Sequence, residues 1–302
     1  MNRELVETFL MVAECRNLTN AAGRLHVSQS SVSRRLATLE VELGVSLLSR
    51  GRGRRDVALT AYGEEFVYIA RRWIALARET EDLRWSTPTR VLSIASVDLV
   101  NTHSFVPLYQ QYVGREDVKL CINTHHSDEI HALVGTRSAD LGFVFSEVHY
   151  PEIVSSPIFH ERMSVLVRDD APLPSRIEPA ELAEGDEIYL RWGTDYELWH
   201  RRHWTPDRYR IRVNTGSMLI HYLMMEGSWA IVPRSEVQAM ARLYPVRSVE
   251  LTEPPPPRVC YQLSHVDPPP GQHRALADFS ERLHRFIAES VEIEGHPSTA
   301  GS

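Results

Sequence analysis

Apolar side chains recur at Leu5, Phe9 and Val12 over residues 3–15, with Val6 alongside. This is the spacing of an amphipathic helix. Thr19 stands at an N-cap position and opens a short helix through Ala21, Ala22 and Leu25, where the two alanines let helices cross closely. After a tight connection at His26-Val27, Ser28 caps a third helix over 29–40 with Val32, Leu36 and Leu39 facing inward. Helix, short helix, brief turn and helix is the helix-turn-helix arrangement. Segments 45–48 and 56–59 read as short strands around the tip Arg50-Gly51-Arg52-Gly53-Arg54-Arg55, which makes the pair a wing. Gly51 and Gly53 lack the third glycine and the preceding buried strand of a nucleotide fingerprint.

Thr60 then caps a long helix over 61–85. Its larger apolar residues are Phe66, Ile69, Trp73, Leu76 and Leu83, and Thr80 completes a 3-4-3-4-3 spacing. So regular a heptad seam, outside a module already supplied with a core, predicts self-association. Pro88 ends the helix. Beyond residue 90, strands at 91–95, 118–122 and 141–145 alternate with helices from 105 and through Ile130, Leu133 and Val134. That β-α-β-α-β order implies a parallel sheet. A second set of strands follows at 163–167, 187–190, 210–213 and 230–232, then a strand at 259–264 and a helix at 275–290. Prolines at 254–257 and 268–270 make stiff connectors, and 294–302 reads as a disordered tail.

A length of 302 residues implies two domains or more. No apolar run reaches membrane-helix length, and Cys15, Cys121 and Cys260 form no C-x-x-C, which excludes a zinc ribbon or disulfide framework. A soluble, cytoplasmic protein with no membrane partner is expected. The net charge of −7 is unevenly spread. Residues 16–55 hold eight arginines against Glu40 and Glu42, whereas residues 87–302 hold 20 basic and 29 acidic side chains. A basic head before an acidic body predicts a polyanion partner. Lys119 is the only lysine, so Schiff-base and P-loop chemistry have almost no residue to use. His125, His126 and His131 share no face, and His200 and His203 lie beside the repelling cations Arg201 and Arg202. No metal, cofactor or catalytic constellation is expected.

The run Leu18-Thr19-x-Ala21-Ala22-x-x-Leu25-x-Val27-Ser28-Gln29-Ser30-x-Val32-Ser33-x-x-Leu36-x-x-Leu39-Glu40-x-x-Leu43-Gly44-x-x-Leu47-x-x-Arg50, continuing to Leu59-Thr60-x-x-Gly63, resembles the LysR-type transcriptional regulators. Ala139-Asp140-Leu141-Gly142 and Gly227-x-x-Ala230-Ile231-x-Pro233 extend the resemblance to about residue 290. Leu48-Ser49 departs from a common phenylalanine, and Trp229 from a common glycine. The resemblance implies a winged helix-turn-helix at 1–60, a dimerising linker helix at 61–87 and an α/β, periplasmic-binding-protein-like effector domain of two lobes. Lobe one would hold 88–161 and 266–293, and lobe two 162–265, with chain crossings near 160–162 and 265–266. It further implies promoter DNA, a small-molecule effector and homodimers or homotetramers, with RNA polymerase as a partner of activators. No enzymatic activity is implied.

On the third helix Gln29, Ser30, Ser33 and Arg34 face outward, suited to base edges. Arg35, Arg52, Arg54 and Arg55 suit phosphate or minor-groove contacts. In two-lobe α/β domains ligands sit at the carboxyl ends of strands. Here those points offer the effector Ser96, Asp98, Thr102, Thr124, Thr194 and Thr215, with Asp98 alternatively capping its own helix. The competing functions are a solute receptor or enzyme on the two-lobe domain, and a constitutive DNA binder that uses that domain only to oligomerise.

Overall fold

The computed structural model describes residues 2–50, 57–84, 90–269, 271–290 and 294–295. They form two compact units: residues 1–88 with 132–139, and residues 89–131 with 140–302.

In the first unit, α1 (Arg3–Cys15) starts at Asn2, whose side chain accepts from the Glu4 amide. Helix α2 (Leu18–Arg24) is capped by Asn17 rather than Thr19, because the Asn17 side-chain Oδ1 accepts from the amides of both Thr19 and Asn20. His26 turns the chain at φ 54°. Ser28 then caps α3 (Gln29–Leu43) through a 3.2 Å bond from the Ser31 amide. This helix outruns its expected end by three residues, since the left-handed cap is Gly44 at φ 72°.

Strands β1 (Leu48–Arg50) and β2 (Val57–Leu59) pair antiparallel; β1 begins later than the hydrophobic pattern suggests, and Asp56, the expected start of β2, lies outside the described residues. Glu40 is the reason. Its Oε1 accepts from the Leu47 and Leu48 amides at 2.7 and 3.1 Å, holding the lead-in as a bend with Leu47 in the core. Helix α4 (Ala61–Arg84) is capped by Thr60, which accepts from the Gly63 amide and donates to the Ser46 carbonyl. Leu5, Phe9, Val12, Val32, Leu36 and Leu39 form the head's core.

The structure divides the α4 seam. Phe66 is buried in this core with its ring 5.1 Å from Phe9, so it is a core residue rather than part of a free seam. Trp73 is half-buried against the same cluster, while Ile69 and Leu76 are 47% and 60% exposed. The side chain of Leu83 lies outside the described residues.

Beyond α4 the chain runs through β3 (Arg90–Ser96), a π-helical turn at Val100–Ser104, α5 (Val106–Gln110), β4 (Val118–Thr124), α6 (Ser127–Gly135), β5 (Leu141–Val144) and β6 (Ile153–Glu161). It crosses to β7 (Met163–Arg168), β8 (Arg176–Ile177), β9 (Ile188–Leu190), α7 (Thr194–His203), β10 (Ile211–Val213), α8 (Leu219–Leu223), β11 (Trp229–Pro233), α9 (Arg234–Ala241) and β12 (Val246–Leu251). It returns through β13 (Arg258–His265), α10 (His273–Glu289) and β14 (Glu294–Gly295).

Lobe one is a six-stranded sheet in the order β14-β6-β13-β5-β3-β4. Its β4-β3-β5 half is parallel, as expected, but β13 inserts antiparallel between β5 and β6. The second crossing therefore precedes Arg258 instead of falling at 265–266. Hydrophobic alternation marks β13 as a strand, but only the long-range ladder decides which sheet it joins. Strand β6 was not anticipated. Its Pro157 interrupts the strand signal and sits where the β6–β13 register shifts, a position that tolerates a missing donor. Glu294 and Gly295 pair with His160 and Phe159, so the expected tail at 294–302 starts as a short strand; the rest of it lies outside the described residues. Lobe two is mixed: β7 runs antiparallel to both β11 and β12, while β9 pairs parallel with β10.

Candidate functional site

Helix α3 places Gln29, Ser30 and Arg34 on its exposed face, with Ser33 half-buried beside them. The Ser30 hydroxyl lies 2.9 Å from that of Ser28, tying it to the helix cap. The Arg34 side chain has no partner among the described residues. Arg35 differs from the expectation: it pairs with Glu4 and reaches the Thr8 hydroxyl at 3.4 Å, bracing α3 against α1. Arg52, Arg54 and Arg55 lie outside the described residues.

In the second unit the ends of β3 and β4 face those of β9 and β10 across a cleft. It contains a cavity of about 290 Å³ lined by Asp98, Thr124, His125, Trp192, Thr215 and Arg258. A second cavity of about 360 Å³ lies beyond Trp192 and Arg258 and reaches Thr194 and Asp195. A larger one, about 500 Å³, lies among Arg162, Arg176, Arg234 and Pro254, away from the strand ends. Of the expected effector positions, Asp98, Thr124 and Thr215 thus share one cavity and Thr194 lines its neighbour.

Ser96 and Thr102 do not line either. Ser96 is fully buried, and its hydroxyl faces the carbonyls of Val97 and Phe143. Thr102 donates back to the Asp98 carbonyl at 2.9 Å, because the π-helical turn directs it along its own backbone. Asp98 does not cap its own helix; it accepts from the Ser217 amide of lobe two at 3.2 Å. Thr124 accepts from Asn101 at 2.9 Å.

Two further contacts join the lobes. His103 Nδ1 lies 2.6 Å from Glu236 Oε2, and Glu236 is almost wholly buried. Burial alone would lower the His103 pKa, but the bond and charge of Glu236, with Asp98 adding, outweigh it and leave it raised. Gly216 packs so closely on Leu99 that a Cβ there would lie 2.1 Å from the leucine methyl.

Arg258 and Trp192 were not among the expected site residues. An arginine at the head of a strand, directly after four prolines, was the available signal. The Arg258 guanidinium lies over the rings of Phe145 and Trp192, at 3.5 and 4.3 Å from their centroids. Burial pushes its pKa down to about 10 against the opposing pull of Glu161, Cys260 and Glu236. Trp192 is oriented by a 2.7 Å bond from its indole N–H to the Ile231 carbonyl.

Trp229, the departure from the common glycine, lies in the lobe-two core. Its N–H donates to the Ala183 carbonyl and its ring packs on Trp204 at 5.1 Å, away from the cleft. His200 is buried 2.9 Å from both oxygens of Glu187, a structural pair. The described residues contain no group of three or more His, Cys, Asp or Glu suited to a metal ion, and no helix long and apolar enough to cross a membrane.

Residues 4–64 match the family described as bacterial regulatory helix-turn-helix protein, lysR family, and residues 86–285 match the LysR substrate binding domain. The HTH-type transcriptional regulator Cbl of Klebsiella aerogenes is 33% identical over 183 residues, which span 58% of this chain and only 55% of that relative's length. The regulator HdfR of Yersinia enterocolitica is 26% identical over 86% of this chain and 89% of its own. Among solved structures, the LysR family regulator CbnR aligns with a TM-score of 0.66 and 23% identity over 95% of this chain and 99% of its own. A full-length OxyR from Pseudomonas aeruginosa aligns with a TM-score of 0.62 and 19% identity over 94% of both chains. With both of its units matched, the chain belongs to the LysR family of transcriptional regulators.

Proposed function

We propose that this chain is a ligand-responsive regulator that reads promoter DNA with α3, pairs with a second copy through the exposed part of α4, and binds a small-molecule effector in the cleft between its two lobes. The observation that carries the reading is the exposed, capped start of α3, with Gln29, Ser30 and Arg34 pointing away from the core. Gln can bond adenine, and Arg guanine, through two atoms of the major-groove edge at once, so these side chains specify sequence. Arg52, Arg54 and Arg55 contribute sequence-independent phosphate attraction. CbnR, similar in fold, has been solved with its target DNA, which supports the same use of the head here.

On α4, Tyr62, Ile69 and Leu76 recur at seven-residue intervals and are all exposed, which supports self-association. The effector reading rests on the Asp98–Ser217 hydrogen bond and the His103–Glu236 ion-pair contact between the lobes: a ligand entering beside Asp98 shifts the balance between lobe arrangements. Genome-wide mapping of bound DNA, followed by salt-dependent titration of the mapped sites, tests the reading. A chain that shows no preference for any site over random DNA would contradict it.

A further inference from the structure

Arg258 opens β13 immediately after the four-proline connector, where the chain re-enters lobe one. Its guanidinium is stacked between Phe145, which follows β5 in lobe one, and Trp192, which follows β9 in lobe two. With a ring from each lobe on its faces, only its in-plane N–H groups remain for hydrogen bonding. Nε and Nη1 are shielded from solvent and have no hydrogen-bond partner among the described residues. Glu161, across the strand pair, and Glu236 attract the charge without bonding it, and Glu236 is held by His103. The other charged groups of the first cavity are engaged: Asp98 by the Ser217 amide, Glu129 by His125, and Arg191 by Glu197. A buried cation lacking a bonded counter-ion is costly, and a carboxylate in its plane satisfies it through two parallel bonds.

We propose that the effector is a small organic acid whose carboxylate lies in the plane of the Arg258 guanidinium, between Phe145 and Trp192. This rests on the cleft being the effector site. Arg258 and Trp192 line both neighbouring cavities, of about 290 and 360 Å³, and Phe145 lines the second; volumes at the small end of ligand pockets limit the acid to a compact body. Because the two rings belong to different lobes, filling the plane between them fixes the lobes against one another.

The full-length protein is titrated with phenylacetate and succinate and with their neutral amides, followed by melting temperature and calorimetry, in the wild type and in R258Q, R258M and T215W. At least one acid raises the wild-type melting temperature while its amide does not. Both Arg258 variants lose about thirtyfold or more in affinity for it, the usual consequence of removing one partner of a buried charge pair. R258M keeps an unbranched chain between the rings, and its own melting temperature, at or above wild type, establishes that it folds. Equal affinity of the acid for wild type and R258M overturns the proposal, as does an amide binding as tightly as its acid or no acid binding at all. A neutral ligand lost in T215W but kept in R258M removes the acid assignment and leaves the cleft reading intact. Binding indifferent to T215W removes both.

Discussion

The two halves of the α4 seam are separable by mutation. Phe66 is 6% exposed and packs against the ring of Phe9, so Phe66→Ala opens a cavity in the head at a cost of about 3–5 kcal/mol. Leu76 is 60% exposed in the single chain. Full burial of a leucine contributes about 1.5–3 kcal/mol, so covering the exposed part of Leu76 contributes about 1–2 kcal/mol. A two-fold dimer contains that contact twice, and Leu76→Ala therefore costs the pair about 2–4 kcal/mol. At about 1.4 kcal/mol per tenfold, the dimer Kd rises roughly 30- to 700-fold. Sedimentation over a concentration series reads the Kd, and scanning calorimetry of the full chain reads the head's unfolding. Leu76→Ala is expected to dissociate the dimer with little change in the head transition, and Phe66→Ala to lower that transition. An unchanged Kd for Leu76→Ala would refute the assignment of this face to self-association.

Gly63→Ala places a methyl 2.1 Å from the Leu47 carbonyl oxygen, a backbone atom, so the head loses about 1–3 kcal/mol or more in thermal unfolding; an unchanged transition would contradict the packing. Arg34→Ala is expected to cost about 1–3 kcal/mol on the cognate site and far less on random DNA, read by fluorescence anisotropy. Equal losses on both DNAs would remove Arg34 from base readout. His103 has a raised pKa in the folded state, so its pairing with Glu236 stabilises fully below its ordinary value of 6.5 and is lost as pH rises through the folded value. The melting-temperature deficit of His103→Asn should accordingly shrink from pH 6 toward pH 8, and a deficit independent of pH would exclude the ion pair as its source.

Local pattern was sufficient for the order and type of the head's elements, though not for all of their caps and ends. Apolar spacing, the Ser28 and Thr60 caps and the arginine-rich forty residues determined three helices, a wing and a long helix, because each depends on neighbours within a few residues. The same local logic placed β3, β4, β5 and the strand-end hydroxyls Thr124 and Thr215 at the cleft. Tertiary structure decided what depends on distant partners. The 3-4-3-4 spacing of α4 could not separate Phe66, turned into the head's core, from exposed Leu76, since periodicity is blind to what covers each turn. Arg35 reads as a phosphate contact until α1 brings Glu4 to it. The alternation in β13 identified a strand, but only the ladders to β5 and β6 assigned it to lobe one. That assignment, with rings arriving from both lobes, is what turned Arg258 from one arginine among many into a buried cation at the cleft.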